Sequence, residues 1–214
     1  MNESFSLRIA ELLTSRLCHD LITPIGAINT GLELLQETPS DHLTESREIL
    51  NLILHSSQTA SARVSFFRVA FGSSVATVSL GEASQLIEKY FMRSKLTIHW
   101  NEPFQSDLVL EWWGRVLLNS VLWMSECAPR GGTLSILAPR KDFLCLSLHL
   151  KAESIILHQG TLEALEGKAS LKELTPRTIP CYLIHRLIEE RKGKLSVNKA
   201  SSLNELFLEI KAPS

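Results

Sequence analysis

Within this 214-residue chain, the stretch with residue types that could do chemistry is Ser15-Arg16-Leu17-Cys18-His19-Asp20-Leu21-Ile22-Thr23-Pro24. An exposed imidazole near neutral pH keeps a lone pair on one ring nitrogen, and that lone pair can attack phosphorus. Asp20 follows His19 directly. Its carboxylate can hydrogen-bond the other ring nitrogen, fix the tautomer and offset the positive charge that attack creates. Thr23 lies four residues on, near the same helical face, and could position a water or a phosphoryl oxygen. Arg16, one turn before the histidine, fits either of two roles: offsetting phosphoryl charge, or simply a solvated surface arginine. A histidine standing alone is most often only a surface residue, so the neighbours give this one its interest.

These groups need a rigid support. Residues 5–37 read as one long helix, with Leu13, Leu17, Leu21, Pro24, Ile28, Leu32 and Leu35 at three- and four-residue spacing. That apolar stripe centres near Leu17 and Leu35, and at ~100° per residue His19 falls roughly 180–190° away, pointing outward. Leu12, Ile22 and Gly26 flank His19 on the same wheel, an apolar patch suited to docking a partner; burial under the rest of the chain is the alternative for Leu12 and Ile22. Pro24 removes a backbone hydrogen bond in mid-helix. Thr38-Pro39-Ser40-Asp41 makes a turn, and a second helix follows over about 42–71, ended by Gly72-Ser73-Ser74. Its Leu43, Leu50, Ile53, Ser57, Ala60, Val64, Phe67 and Phe71 recur with heptad-like spacing. Two such helices form an antiparallel hairpin, and two hairpins complete a four-helix bundle, so residues 1–73 predict a homodimer. A hairpin packed only on its own chain is the alternative.

From residue 78 the pattern is mixed. Helices are predicted over Leu80–Arg93, Leu108–Cys127, Thr161–Leu165 and Ile179–Arg191, and strands over Leu96–Trp100, Thr133–Ala138, Phe143–Leu150, Lys194–Asn198 and Leu206–Lys211. This is an α+β arrangement, a layer of helices on one sheet. The formal net charge of −1 speaks against a dominant electrostatic nucleic-acid binder. With 44% hydrophobic residues the chain can bury a core. No run approaches the ~18 apolar residues of a membrane span, and Met1–Ser6 has no signal-peptide pattern, which predicts a cytoplasmic protein. Cys18, Cys127, Cys145 and Cys181 have no zinc spacing and read as reduced thiols.

The string His19-Asp20-Leu21-Ile22-Thr23-Pro24 resembles the H-box of sensor histidine kinases. With Leu17-Cys18 before it, and Pro24-Ile25-Gly26-Ala27-Ile28 and Gly31-Leu32-Glu33-Leu34-Leu35 after it, it is similar to the ChpT family of bacterial histidine phosphotransferases. The resemblance implies a dimeric helical hairpin over 1–73 and, over 78–214, a domain folded like the kinase ATP-binding domain.

That second domain departs from the kinase pattern. Leu117-Leu118-Asn119-Ser120-Val121-Leu122-Trp123 resembles the N-box, with Asn119 on its first asparagine. Trp123 takes the place of the magnesium-ligating asparagine, and an indole offers a hard cation no oxygen. Leu150-Lys151-Ala152-Glu153-Ser154 lacks the adenine-contacting aspartate and its glycines. Thr178 and Pro180 stand where glycines cradle phosphates. The resemblance with these losses implies a phosphotransferase without nucleotide binding or autokinase activity, with no cofactor or metal of its own. His19 would take a phosphoryl group from the phospho-aspartate of a hybrid-kinase receiver and pass it to a CtrA-type response regulator. Asp20 and Thr23 would assist it, and Leu12, Arg16, Ile22 and Gly26 would contact the receiver. Magnesium would arrive with the receiver.

An ATP-dependent kinase, a receiver phosphatase using Asp20-x-x-Thr23, and a non-enzymatic dimeric adaptor are the rival readings. His42, His55, His99, His149, His158 and His185 are dispersed and predict capping, surface or core roles. Trp112-Trp113 predicts one core and one partly exposed ring, and Arg191-Lys192-Gly193-Lys194 a helix C-terminus.

Overall fold

The structure is a computed structural model and describes residues 3–39, 41–72, 78–101, 112–139, 144–200 and 204–212. Two long helices come first, α1 (Glu3–Glu37) and α2 (Leu43–Ala70), packed antiparallel along their length. Pro24 is buried within α1 and does not end it. Gly31 sets how closely the helices meet: a Cβ there would lie 2.6 Å from Cγ1 of Ile53.

A two-layer α+β unit follows: α3 (Leu80–Phe91), β1 (Leu96–Trp100), α4 (Trp113–Cys127), β2 (Gly132–Leu137), β3 (Cys145–Lys151), α5 (Thr161–Leu165), α6 (Ile179–Glu190), β4 (Lys194–Ala200) and β5 (Glu205–Lys211). The predicted helix start at 108 lies outside the described residues, as do residue 143 and Ser73-Ser74. Strand order is β1-β2-β3-β5-β4. β1 and β2 are parallel and joined through α4; the other neighbours are antiparallel. Residues alternate across the sheet, as strand geometry demands. Leu134, Ile136, Leu148, Leu150, Leu208 and Ile210 face inward and are buried.

α4 is the central helix, touching α2, α3, α6 and β3. Trp113 is buried and Trp112 partly exposed, with the two rings stacked. α3 begins with a full capping box between Ser79 and Glu82. α6 ends at Arg191, where Lys192 adopts a positive φ and Gly193 N–H returns to the Ile188 carbonyl. The hairpin is not free-standing: Leu12, Phe66, Phe67 and Ala70 belong to the same core as α4 and the sheet.

Candidate functional site

His19 projects from α1 with 82% of its side chain exposed. The wheel argument explains why: Leu13 and Leu17, on the opposite face, pack against the core. Nδ1 of His19 lies 2.9 Å from Oδ1 of Asp20. A carboxylate only accepts, so Nδ1–H donates and Nε2 keeps its lone pair facing solvent.

Asp20 is held by more than its neighbour. Arg16 Nε donates to Oδ2 at 3.1 Å, Tyr90 Oη approaches the same oxygen at 3.5 Å, and Arg63 donates to the Asp20 backbone carbonyl. Arg16 also forms an ion pair with Glu126 of α4 and reaches the Pro176 carbonyl at 3.5 Å. Burial works against the Arg16 charge, yet Glu126 and Asp20 together outweigh it and hold the guanidinium more firmly protonated than usual. Burial raises the Tyr90 phenol above its ordinary value, and the Asp20 charge pushes it further.

Two of the four predicted docking residues are not on an open surface. Leu12 is 3% exposed and Arg16 7%. Both share the histidine's helix face, but Leu12 packs into the common core, and Arg16 is held by the Pro176 carbonyl and by Glu126 near the C-terminal end of α4. Burying Leu12 there contributes about 1.5–3 kcal/mol, and Arg16 is taken up by two carboxylates. Ile22, at 71% exposure, and Gly26 remain open, and a Cβ on Gly26 would meet nothing within 4 Å. Thr23 is exposed one turn beyond His19. The accessible surface therefore lies on the C-terminal side of the histidine.

A cleft of about 850 Å3 opens beside His19, walled by Asp20, Glu126, His158, Lys168, Arg177 and Thr178 among others. Sequence reasoning missed Glu126, Tyr90 and Arg63. Glu126 did leave a signal, since it is the sole acid in a helix otherwise mostly apolar, and such a charge needs a partner.

The positions compared with the kinase pattern take part in packing. Trp123 is buried in the core. Asn119 is fully buried, and its amide donates to the carbonyls of Ala70 and Arg115 at 2.9 Å each. It joins α4 to the end of α2. Pro180 sits buried in the first turn of α6. Of the other histidines, His42 pairs with Glu45, His55 with Arg93 and His185 with the Leu165 carbonyl. Among the described residues no group of His, Cys, Asp and Glu could hold a metal ion, and no helix is long and apolar enough to cross a membrane.

Known proteins match this arrangement. Residues 80–202 match the family described as Histidine phosphotransferase C-terminal domain. Over 200 residues the chain is 32% identical to Protein phosphotransferase ChpT of Brucella abortus (strain 2308), covering 90% of this chain and 91% of that protein. The solved structure of a bacterial phosphotransferase superposes with a TM-score of 0.78 at 29% identity, over 96% of each chain. The resemblance read from the residues around His19 and the likeness of the whole chain thus converge, and the chain belongs to the histidine phosphotransferase family, as a ChpT-type protein.

Proposed function

We propose that this chain is a relay: His19 accepts a phosphoryl group from the phospho-aspartate of a hybrid-kinase receiver and delivers it to the aspartate of a CtrA-type response regulator. One observation carries the reading, an exposed imidazole whose Nδ1 is tied to Asp20 and whose Nε2 is free. In the first step the Nε2 lone pair forms the N–P bond as the P–O bond to the receiver's carboxylate breaks. The carboxylate leaves with the electron pair, and no proton is lost from Nε2. The ring becomes a cation that retains its Nδ1 proton, and Asp20 bears the compensating charge. The second step reverses this with a new carboxylate. Such a transfer asks mainly for positioning and charge neutralisation, and the receiver's acidic pocket supplies magnesium. Ile22, Thr23 and Gly26 form the docking face.

The relay works as a homodimer of 1–73 hairpins in a four-helix bundle. Ile25, Leu32, Leu43, Leu50 and Leu54 favour this, because all are large apolar residues at least 46% exposed on the single chain. The 78–214 unit serves as a support that binds no nucleotide. Trp123 and Asn119, turned to packing and helix-joining, support that reading, so autophosphorylation is not part of the function. The cytoplasm is the matching compartment, since both partners' receivers act there.

Incubation with a labelled phospho-receiver tests the relay. Label moves to the wild-type chain, and His19→Ala abolishes the movement without dissociating the dimer. Labelled ATP alone leaves the chain unlabelled. An alanine variant that still relays, or direct labelling by ATP, would overturn the reading.

A further inference from the structure

The relay needs a single histidine tautomer, and the group that enforces it is itself enforced from another element. Asp20 spans the two: Oδ1 meets His19 Nδ1 at 2.9 Å, and Oδ2 meets Arg16 Nε at 3.1 Å. A side chain bonded only to an exposed neighbour would rotate freely, so the Oδ2 contact gives Asp20 its orientation. Arg16 could adopt many rotamers, and its ion pair with Glu126 selects one. Glu126 is in turn fixed by the backbone of α4, the central helix of the core. The Arg16 and Asp20 side chains are 8% and 13% exposed, so water competes little for these bonds. The second carboxylate oxygen of Glu126, Oε2, is buried without a partner, and the residue lines the cleft beside His19. An acid desolvated in this way costs stability unless its partner offsets the cost.

We propose that Glu126 is a positioning residue for phosphoryl transfer: through Arg16 it orients the Asp20 carboxylate, and so holds His19 in the Nδ1–H tautomer with Nε2 free to attack. This rests on the relay reading for its rate consequence, but its structural half stands apart from it.

The test uses the full-length chain labelled with 15N-histidine. The ring signals of His19 are assigned by their loss in His19→Gln, and the tautomer is read from the two ring-nitrogen shifts. Glu126→Leu keeps the volume but removes the acid, and Glu126→Gln keeps an acceptor for Arg16. In the wild type the Nδ1–H form dominates. In Glu126→Leu the Nε2–H form grows to a comparable population, and the rate of transfer from a phospho-receiver falls about tenfold or more. Glu126→Gln restores most of both. Melting temperature and oligomeric state are measured on each variant, so loss of fold is seen directly. An unchanged tautomer ratio in Glu126→Leu overturns the proposal, as does a Gln variant no better than Leu. If the wild-type chain accepts label from no phospho-receiver, the relay fails while the tautomer ratio still decides the role of Glu126.

Discussion

Arg16 pairs with two carboxylates at once, Asp20 on its own helix and Glu126 on α4. Removing it strands both acids in a largely buried place, which is costlier than losing a surface ion pair. Arg16→Leu is therefore expected to lower stability by about 3 kcal/mol, read from the urea midpoint. Buried protons make a second expectation. The Tyr90 phenol is raised above its ordinary 10.0, and burial pushes the Cys127 thiol from 9.0 up to about 12. Between those ordinary values and the folded ones, the unfolded chain has released protons that the folded chain retains. Their contribution is thus complete below about pH 9 and is lost as pH rises towards 12. Urea titrations across that range should show falling stability, with a shallower fall in Cys127→Ala and, above pH 10, in Tyr90→Phe.

At the scale of elements, two glycines of α1 behave oppositely. Gly26 faces open space, whereas a Cβ at Gly31 would collide with Ile53. Gly26→Ala should gain stability by about 1 kcal/mol from helix propensity alone, while weakening receiver binding if that face is the docking site. Gly31→Val should lose about 1–3 kcal/mol by forcing α1 and α2 apart. Thermal melts and receiver titrations check both. The predicted element boundaries lie close to the structure wherever they can be compared, because the apolar periodicity of the elements is strong and Pro39 and Gly72 follow the ends of α1 and α2. The His19 face was legible for the same reason. The burial of Leu12 and Arg16 was not: a wheel gives an angle but not what packs on it, and the Pro176 carbonyl bonded to Arg16 comes 160 residues later. Glu126 was missed likewise, since its partner is set by tertiary packing.

At the scale of the whole molecule, the hairpin has one side in the core and another rich in exposed Leu and Ile. A second copy of the hairpin would cover it. Leu50→Glu with Leu54→Glu should convert the proposed homodimer to monomer in sedimentation runs while the chain keeps a cooperative melting transition. Surviving dimers would show that another surface joins the copies.

Arg8 and Arg16 fasten α1 to the carbonyls of Leu174 and Pro176, at 3.4 and 3.5 Å, and Arg16 also grips α4. These contacts span the joint between the hairpin and the second unit, and the relay proposed above calls for no stroke across it. Its throughput would then follow the arrival and departure of its visitors, and thickening the solvent with sucrose should slow it in proportion to viscosity.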